Sequence, residues 1–150
     1  MEQTRQKTLI LILARELATN LATPVFVVDA EGKLVFYNEA AEGILGEPFD
    51  EVGELSRDQW GEAFSPEWPD GTPIAPEEGP LSRALDERRP HHAGIAITGR
   101  DGIRRNIAVT AFPLVVGGAM LAGAVTIFWE EGHDSDPSTP PAPEARTDGD

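Results

Sequence analysis

Cysteine is absent from all 150 residues. That excludes disulfides, thiolate zinc sites, iron–sulfur clusters and cysteine nucleophiles, and it fits a reducing cytoplasm. Positive charge is scarce: 12 Lys and Arg stand against 26 Asp and Glu, a formal net charge of −14. Nucleic-acid binding relies on cations that displace phosphate counterions, so no nucleic-acid partner is expected. A partner with a basic face is the better match. The N-terminal run Leu9-Ile10-Leu11-Ile12-Leu13-Ala14 is closed by Arg15-Glu16, whereas a membrane-spanning helix needs about 20 apolar residues. Arg5 and Lys7 precede the run, but no small-residue cleavage site follows it. A soluble helix is expected, and no membrane partner. Nucleophile elbow, phosphate-cradling glycine loop and His–acid pair at useful spacing are all missing, so the chain is not expected to be an enzyme.

What remains is enough for one compact domain with spare chain. Apolar residues make up 40%, while 15 Gly and 13 Pro make the sequence rich in loops. Residues 130–150 hold seven acids, one base (Arg146) and four prolines. Such a segment cannot bury enough apolar surface to offset its ordering entropy. A disordered acidic tail is therefore expected over 132–150, and its removal leaves residues 1–129 at −8. No internal repeat is found.

At the other end a helix is expected from about Thr4 to Leu21, before the Thr23-Pro24 step that disfavours helical geometry. Leu9, Ile10, Leu13, Ala14, Leu17 and Leu21 form its apolar stripe, with Leu11 and Ile12 outside the tightest version. Such a helix is greasy on more sides than its own domain covers. The stripe can pack on the domain or pair with a second copy, and Leu9, Ile10, Leu13, Leu17 and Leu21 are the candidate dimer interface. Three units follow: an N-terminal amphipathic helix at 1–22, a domain at 23–131 and the tail.

Inside the domain, Pro24–Asp29 and Lys33–Tyr37 flank Ala30-Glu31-Gly32 as a hairpin. Asn38 then caps a helix through Ala40, Ala41, Ile44 and Leu45 that Gly46 stops. Six prolines between 48 and 80 leave little regular structure expected there beyond short turns. Pro80 suits the first turn of a helix over Leu81–Arg88. Strands His92–Thr98, Ile103–Leu114 and Leu121–Trp129 are joined by the glycine turns at 99–102 and 116–119. Strands grouped around a helical middle indicate an α+β fold with a five-stranded antiparallel sheet.

The stretch from about Leu21 to Glu131, roughly three quarters of the chain, resembles a PAS domain. Val25 to Gly46 is similar to the family's opening of apolar strand, Asp-x-x-Gly turn, strand, Asn and an Ala-rich helix closed by Leu-Gly. Asp70-Gly71-Thr72-Pro73-Ile74, leading to Glu77-Glu78-Gly79-Pro80-Leu81-Ser82-Arg83-Ala84-Leu85, is similar to the segment many bacterial PAS domains carry before the last three strands. Thr110-Ala111-Phe112-Pro113-Leu114 and Gly123-Ala124-Val125 complete the match. The resemblance implies a sheet curled around short helices, with a pocket that in members holds haem, flavin, an organic acid, a lipid or nothing. It implies signal transduction by sensing or dimerising, commonly beside an effector domain. No effector fits in the remaining chain, so either the signal passes to a separate partner or the chain is a fragment. The expected partners are a second copy, a separate signalling effector protein and a small molecule.

The candidate pocket residues are Phe26, Val28, Phe36, Trp60, Phe64, Trp68, Leu81, Leu85, Val109, Ala111 and Ile127. The plain alternative is that most are simply core. Trp60, Phe64 and Trp68 lie in the proline-rich segment, where they either lid a pocket or pin the loop to the sheet. The family's cysteine-adduct chromophores are excluded, and the cofactor is left open between non-covalent flavin, haem and none. His91-His92 offer imidazole to a haem iron, but neighbours on a strand point to opposite faces, so one at most faces a pocket. Adjacent histidines are also a poor divalent site, and no metal is assigned. Asn38 is expected to be a helix cap and Asp29 a turn residue. Arg83, Arg88, Arg89, Arg100, Arg104 and Arg105 are half of all basic residues. They either answer the protein's own acids or hold a carboxylate ligand.

Overall fold

The computed structural model describes residues 2–117 and 119–131. The tail expected at 132–150, His133 included, lies outside them. Ten elements follow in order: α1 (Glu2–Thr19), β1 (Val25–Asp29), β2 (Leu34–Tyr37), α2 (Glu39–Leu45), α3 (Phe49–Val52), α4 (Arg57–Phe64), α5 (Pro80–Glu87), β3 (His91–Thr98), β4 (Arg104–Val116) and β5 (Met120–Glu130). The strands form one antiparallel sheet in the order β2-β1-β5-β4-β3. The expected strands and the helix at Pro80 are in place within two residues, while α1 starts and ends two residues earlier than expected.

Alternation along the strands divides the apolar side chains between two faces. Phe26, Val28, Val109, Ala111, Ala124 and Phe128 belong to the main core under α2, α4 and α5. Val25, Val27 and Val125 face the other way, where Leu11, Ala14 and Ala18 of α1 pack on them. Both faces of β1 are thus covered, which is why Val25-Phe26-Val27-Val28 reads as an unbroken apolar run. Burial of each such large side chain contributes roughly 1.5–3 kcal/mol.

The docking face of α1 is small. Leu11, Ala14 and Ala18 meet the sheet, and a Cβ added at Gly123 would run into the Val28 carbonyl oxygen and stand 3.1 Å from Leu11 Cδ2. Glycine at 123 therefore sets how closely β5 approaches β1 and α1. The helix end is tied down by Asn38, whose Nδ2 donates to the Ala18 and Thr23 carbonyls at 2.9 Å each.

Residues 47–80 carry more helix than expected. Ser56 and Gln59 form a capping box, with Ser56 Oγ accepting from the Gln59 amide at 3.2 Å and Gln59 Oε1 accepting from the Ser56 amide at 2.8 Å. That box opens α4, so Trp60 and Phe64 stand on a helix and not in a loop. Pro48 and Pro66 flank the helical stretch without interrupting it.

Candidate functional site

A cavity of about 100 Å³ lies between the inner face of the sheet and the helices. The sheet supplies Phe26 of β1, Ile95 and Ile97 of β3, Ile107 and Val109 of β4, and Thr126 and Phe128 of β5. Trp60 and Phe64 of α4 close one side, and the Pro66–Pro76 segment with the start of α5 closes the other. Phe26 meets Trp60 edge-on at 5.6 Å and Phe64 at 6.4 Å, the arrangement ring quadrupoles favour. The Trp60 indole donates to the Gly32 carbonyl at 2.8 Å, which fastens α4 to the β1–β2 turn.

Among the described residues no Asp, Glu, Lys, Arg or His belongs to the lining. Two of its side chains carry hydroxyls. Ser82 Oγ already donates to the Pro76 carbonyl at 2.5 Å. Thr126 is 6% exposed, and its Oγ1 is buried without a hydrogen-bond partner among the described residues. An orphaned hydroxyl of this kind costs about 1–3 kcal/mol.

The structure places the candidate pocket residues in three groups. Phe26, Trp60, Phe64, Leu81 and Val109 line the cavity. Val28, Leu85 and Ala111 sit in the same core outside the lining. Phe36 and Ile127 stand on the opposite face of the sheet, beneath α1, with the Arg15 guanidinium 4.9 Å from the Phe36 ring centre. Trp68 is half-buried outside the lining, in a turn its backbone closes with Thr72 and Gly71. Thr126, Phe128, Ile107 and Ile97 are lining residues the sequence reading passed over. Strand parity points to them: Val109 inward carries Ile107 with it, and Ala111 pairs with Thr126 across the sheet.

The chain matches the family model described as PAS fold over residues 18–130. The chain belongs to the PAS fold family. Solved structures agree at the level of fold. The PAS domain of Bordetella pertussis BvgS is 18% identical with a TM-score of 0.57, covering 86% of this chain and 91% of that one. The PAS domain of nitrogen regulation protein NR(II) from Vibrio parahaemolyticus is 15% identical with a TM-score of 0.57, over 79% and 98%. The light-state dimer of the fungal blue-light photoreceptor Vivid is 17% identical with a TM-score of 0.56, over 81% and 90%. No curated protein matches the chain by sequence.

Haem and flavin do not fit this PAS cavity. Ligand pockets for such groups measure about 300–1,000 Å³, well above the space present. His91 and His92 lie outside the lining, where His91 Nε2 pairs with Glu87 Oε1 at 2.9 Å and His92 Nδ1 with Thr110 Oγ1 at 2.9 Å. Among the described residues no three His or acidic side chains gather as a metal site. The arginines lie outside the lining too. Arg83 and Arg89 pair with Glu87, Arg100 with Glu47, Arg104 with Glu67 and Arg105 with Asp101, all at 2.9–3.1 Å, while Arg88 donates to the Ala119 carbonyl.

On the far side of the sheet, α1 leaves Leu9, Ile12, Leu13 and Leu17 exposed, with Leu17 at 65%, and Leu21 just beyond its end is exposed too. Ile10 is half-buried. The stripe expected on this helix is thus mostly the face turned away from the domain. No helix among the described residues is long and apolar enough to cross a membrane.

Proposed function

We propose that this PAS domain is a non-enzymatic cytoplasmic signalling module that takes a small molecule in its cavity and passes the change on through a dimer or a separate partner protein. Residues 23–131 are the sensory unit and α1 is the output helix. The observation that carries the reading is that cavity and helix share strands. In β5, Thr126 and Phe128 line the cavity while their neighbours Val125 and Ile127 bear α1. A ligand that shifts β5 shifts the seat of α1 with it. Leu9, Leu13 and Leu17, at four-residue spacing, form a face suited to a second copy of the same helix.

Native mass spectrometry of protein taken from cells, with an absorption spectrum of the same sample, tests this. A dimer carrying extra mass and no Soret or flavin band is the expected result. A monomer with no bound mass at any accessible concentration contradicts it.

The cavity volume, about 100 Å³, favours a second reading: a ligand-free interaction module working through α1 and the outer sheet face. Glutamate substitutions at Leu9, Leu13 and Leu17 separate the two. Both readings lose the dimer, but only the sensor retains ligand binding in the variant.

A further inference from the structure

Resting on the reading that the cavity takes a ligand, we propose that the ligand is a small uncharged molecule of about six or seven heavy atoms, a phenol or a cyclic alcohol or ketone, held by one hydrogen bond to Thr126 Oγ1. The space sets the size. A cavity of about 150 Å³ holds benzene, and the one here is about 100 Å³, so a single ring fills it with modest side-chain movement. The lining sets the charge. It contains no ionised side chain, and a carboxylate or ammonium brought there loses its hydration with nothing in exchange.

The polar contact is fixed by elimination among the lining side chains. The Trp60 indole N–H is bound to Gly32 and the Ser82 hydroxyl to Pro76. Thr126 Oγ1 is buried and has no hydrogen-bond partner among the described residues. A hydroxyl both donates and accepts, so it serves a ligand hydroxyl or carbonyl alike. Thr126 stands on the central strand of the sheet between Ala111 and Phe26, and Phe26 and Phe128 line the same space. An aromatic or alicyclic body against those rings, with its one oxygen toward Thr126, meets every wall with its like.

The test is a two-dimensional NMR titration of the full chain with phenol, benzene and benzoate, on the parent protein, Thr126→Val and Thr126→Ser. Phenol is expected to shift the resonances of lining residues, including the Trp60 indole, and to bind about fivefold to tenfold more tightly than benzene. Thr126→Val, nearly the same shape without the hydroxyl, should level the two, and Thr126→Ser should keep phenol ahead. Equal binding of phenol and benzene to the parent protein, or a phenol preference that survives Thr126→Val, overturns the Thr126 anchor while the pocket reading stands. Benzoate binding as tightly as phenol overturns the uncharged class. If none of the three probes moves a lining resonance, the pocket reading falls together with the anchor.

Discussion

Asn38 is 1% exposed, and its side chain joins four parts of the fold. Oδ1 accepts from the Val25 and Ala41 amides at 3.0 and 3.1 Å, while Nδ2 donates to Ala18 and Thr23 at 2.9 Å and reaches Leu21 at 3.4 Å. The sequence shows the cap on α2. It does not show the bonds to β1 and to the end of α1, because those partners are distant in the chain. Asn38→Ala should cost about 3 kcal/mol, lowering the melting temperature by about 10 °C and loosening α1 in hydrogen exchange. A helix cap alone is worth about 1 kcal/mol, so a drop of only a few degrees contradicts the wider role. Thr126→Val should act in the opposite direction without ligand, raising the melting temperature by a few degrees as the orphaned hydroxyl is removed. A clear loss of stability would mean that Oγ1 has a partner.

Tyr37 is the protein's one tyrosine. It is 1% exposed and donates to the Glu47 carbonyl at 2.5 Å. Burial, with Glu47 and Glu42 nearby, pushes its phenol well above the ordinary value of 10.0. The folded state thus holds this proton more tightly than the unfolded chain does. Tyr37 leaves stability unchanged below pH 10 and lowers it as pH rises above that value. Tyrosinate absorbance should therefore emerge together with loss of fold, and Tyr37→Phe should reduce the alkaline loss. Ionisation near pH 10 in a fully folded chain contradicts the placement.

At the scale of elements, parity decides what the sequence reveals. β4 and β5 are legible as strands from their apolar content, and Val109 and Ala111 share the face that belongs to the main core. Ile127 does not share that face, since Thr126 and not Ile127 sits on the inward side opposite Ala111. Both faces of β5 are apolar, so its pattern carries no alternation to fix the register. The register follows from pairing, which a single strand does not encode. α4 shows the reverse case, because Ser56-x-x-Gln59 was readable as a capping box, and the prolines on either side obscured it. On α1, apolar residues on most sides left the docked stripe ambiguous. The structure seats Leu11, Ala14 and Ala18 against Val25, Val27 and Val125. Leu13→Glu with Leu17→Glu should weaken self-association at least tenfold in sedimentation velocity, with the melting temperature of the monomer nearly unchanged. Gly123→Ala should instead destabilise the fold, by about 2 kcal/mol or more, through the Val28 carbonyl it meets.

For the whole molecule, the five-stranded sheet has the cavity on one side and, on the other, a helix whose apolar face is exposed among the described residues. The acidic balance of the chain, −14 in all, opposes close approach of two copies, so pairing through α1 should strengthen as salt screens that repulsion. Ligand binding and pairing are coupled if they share β5, and such coupling is reciprocal: whatever factor the ligand changes the dimer affinity by, pairing changes the ligand affinity by the same factor. Sedimentation velocity of the full chain, with and without phenol at a concentration NMR shows to fill the cavity, measures that factor directly. A shift of about fivefold or more in the dimer dissociation constant is the predicted result. An unchanged constant with the cavity full would contradict the central claim, leaving a cavity and a helix that share a sheet without exchanging a signal.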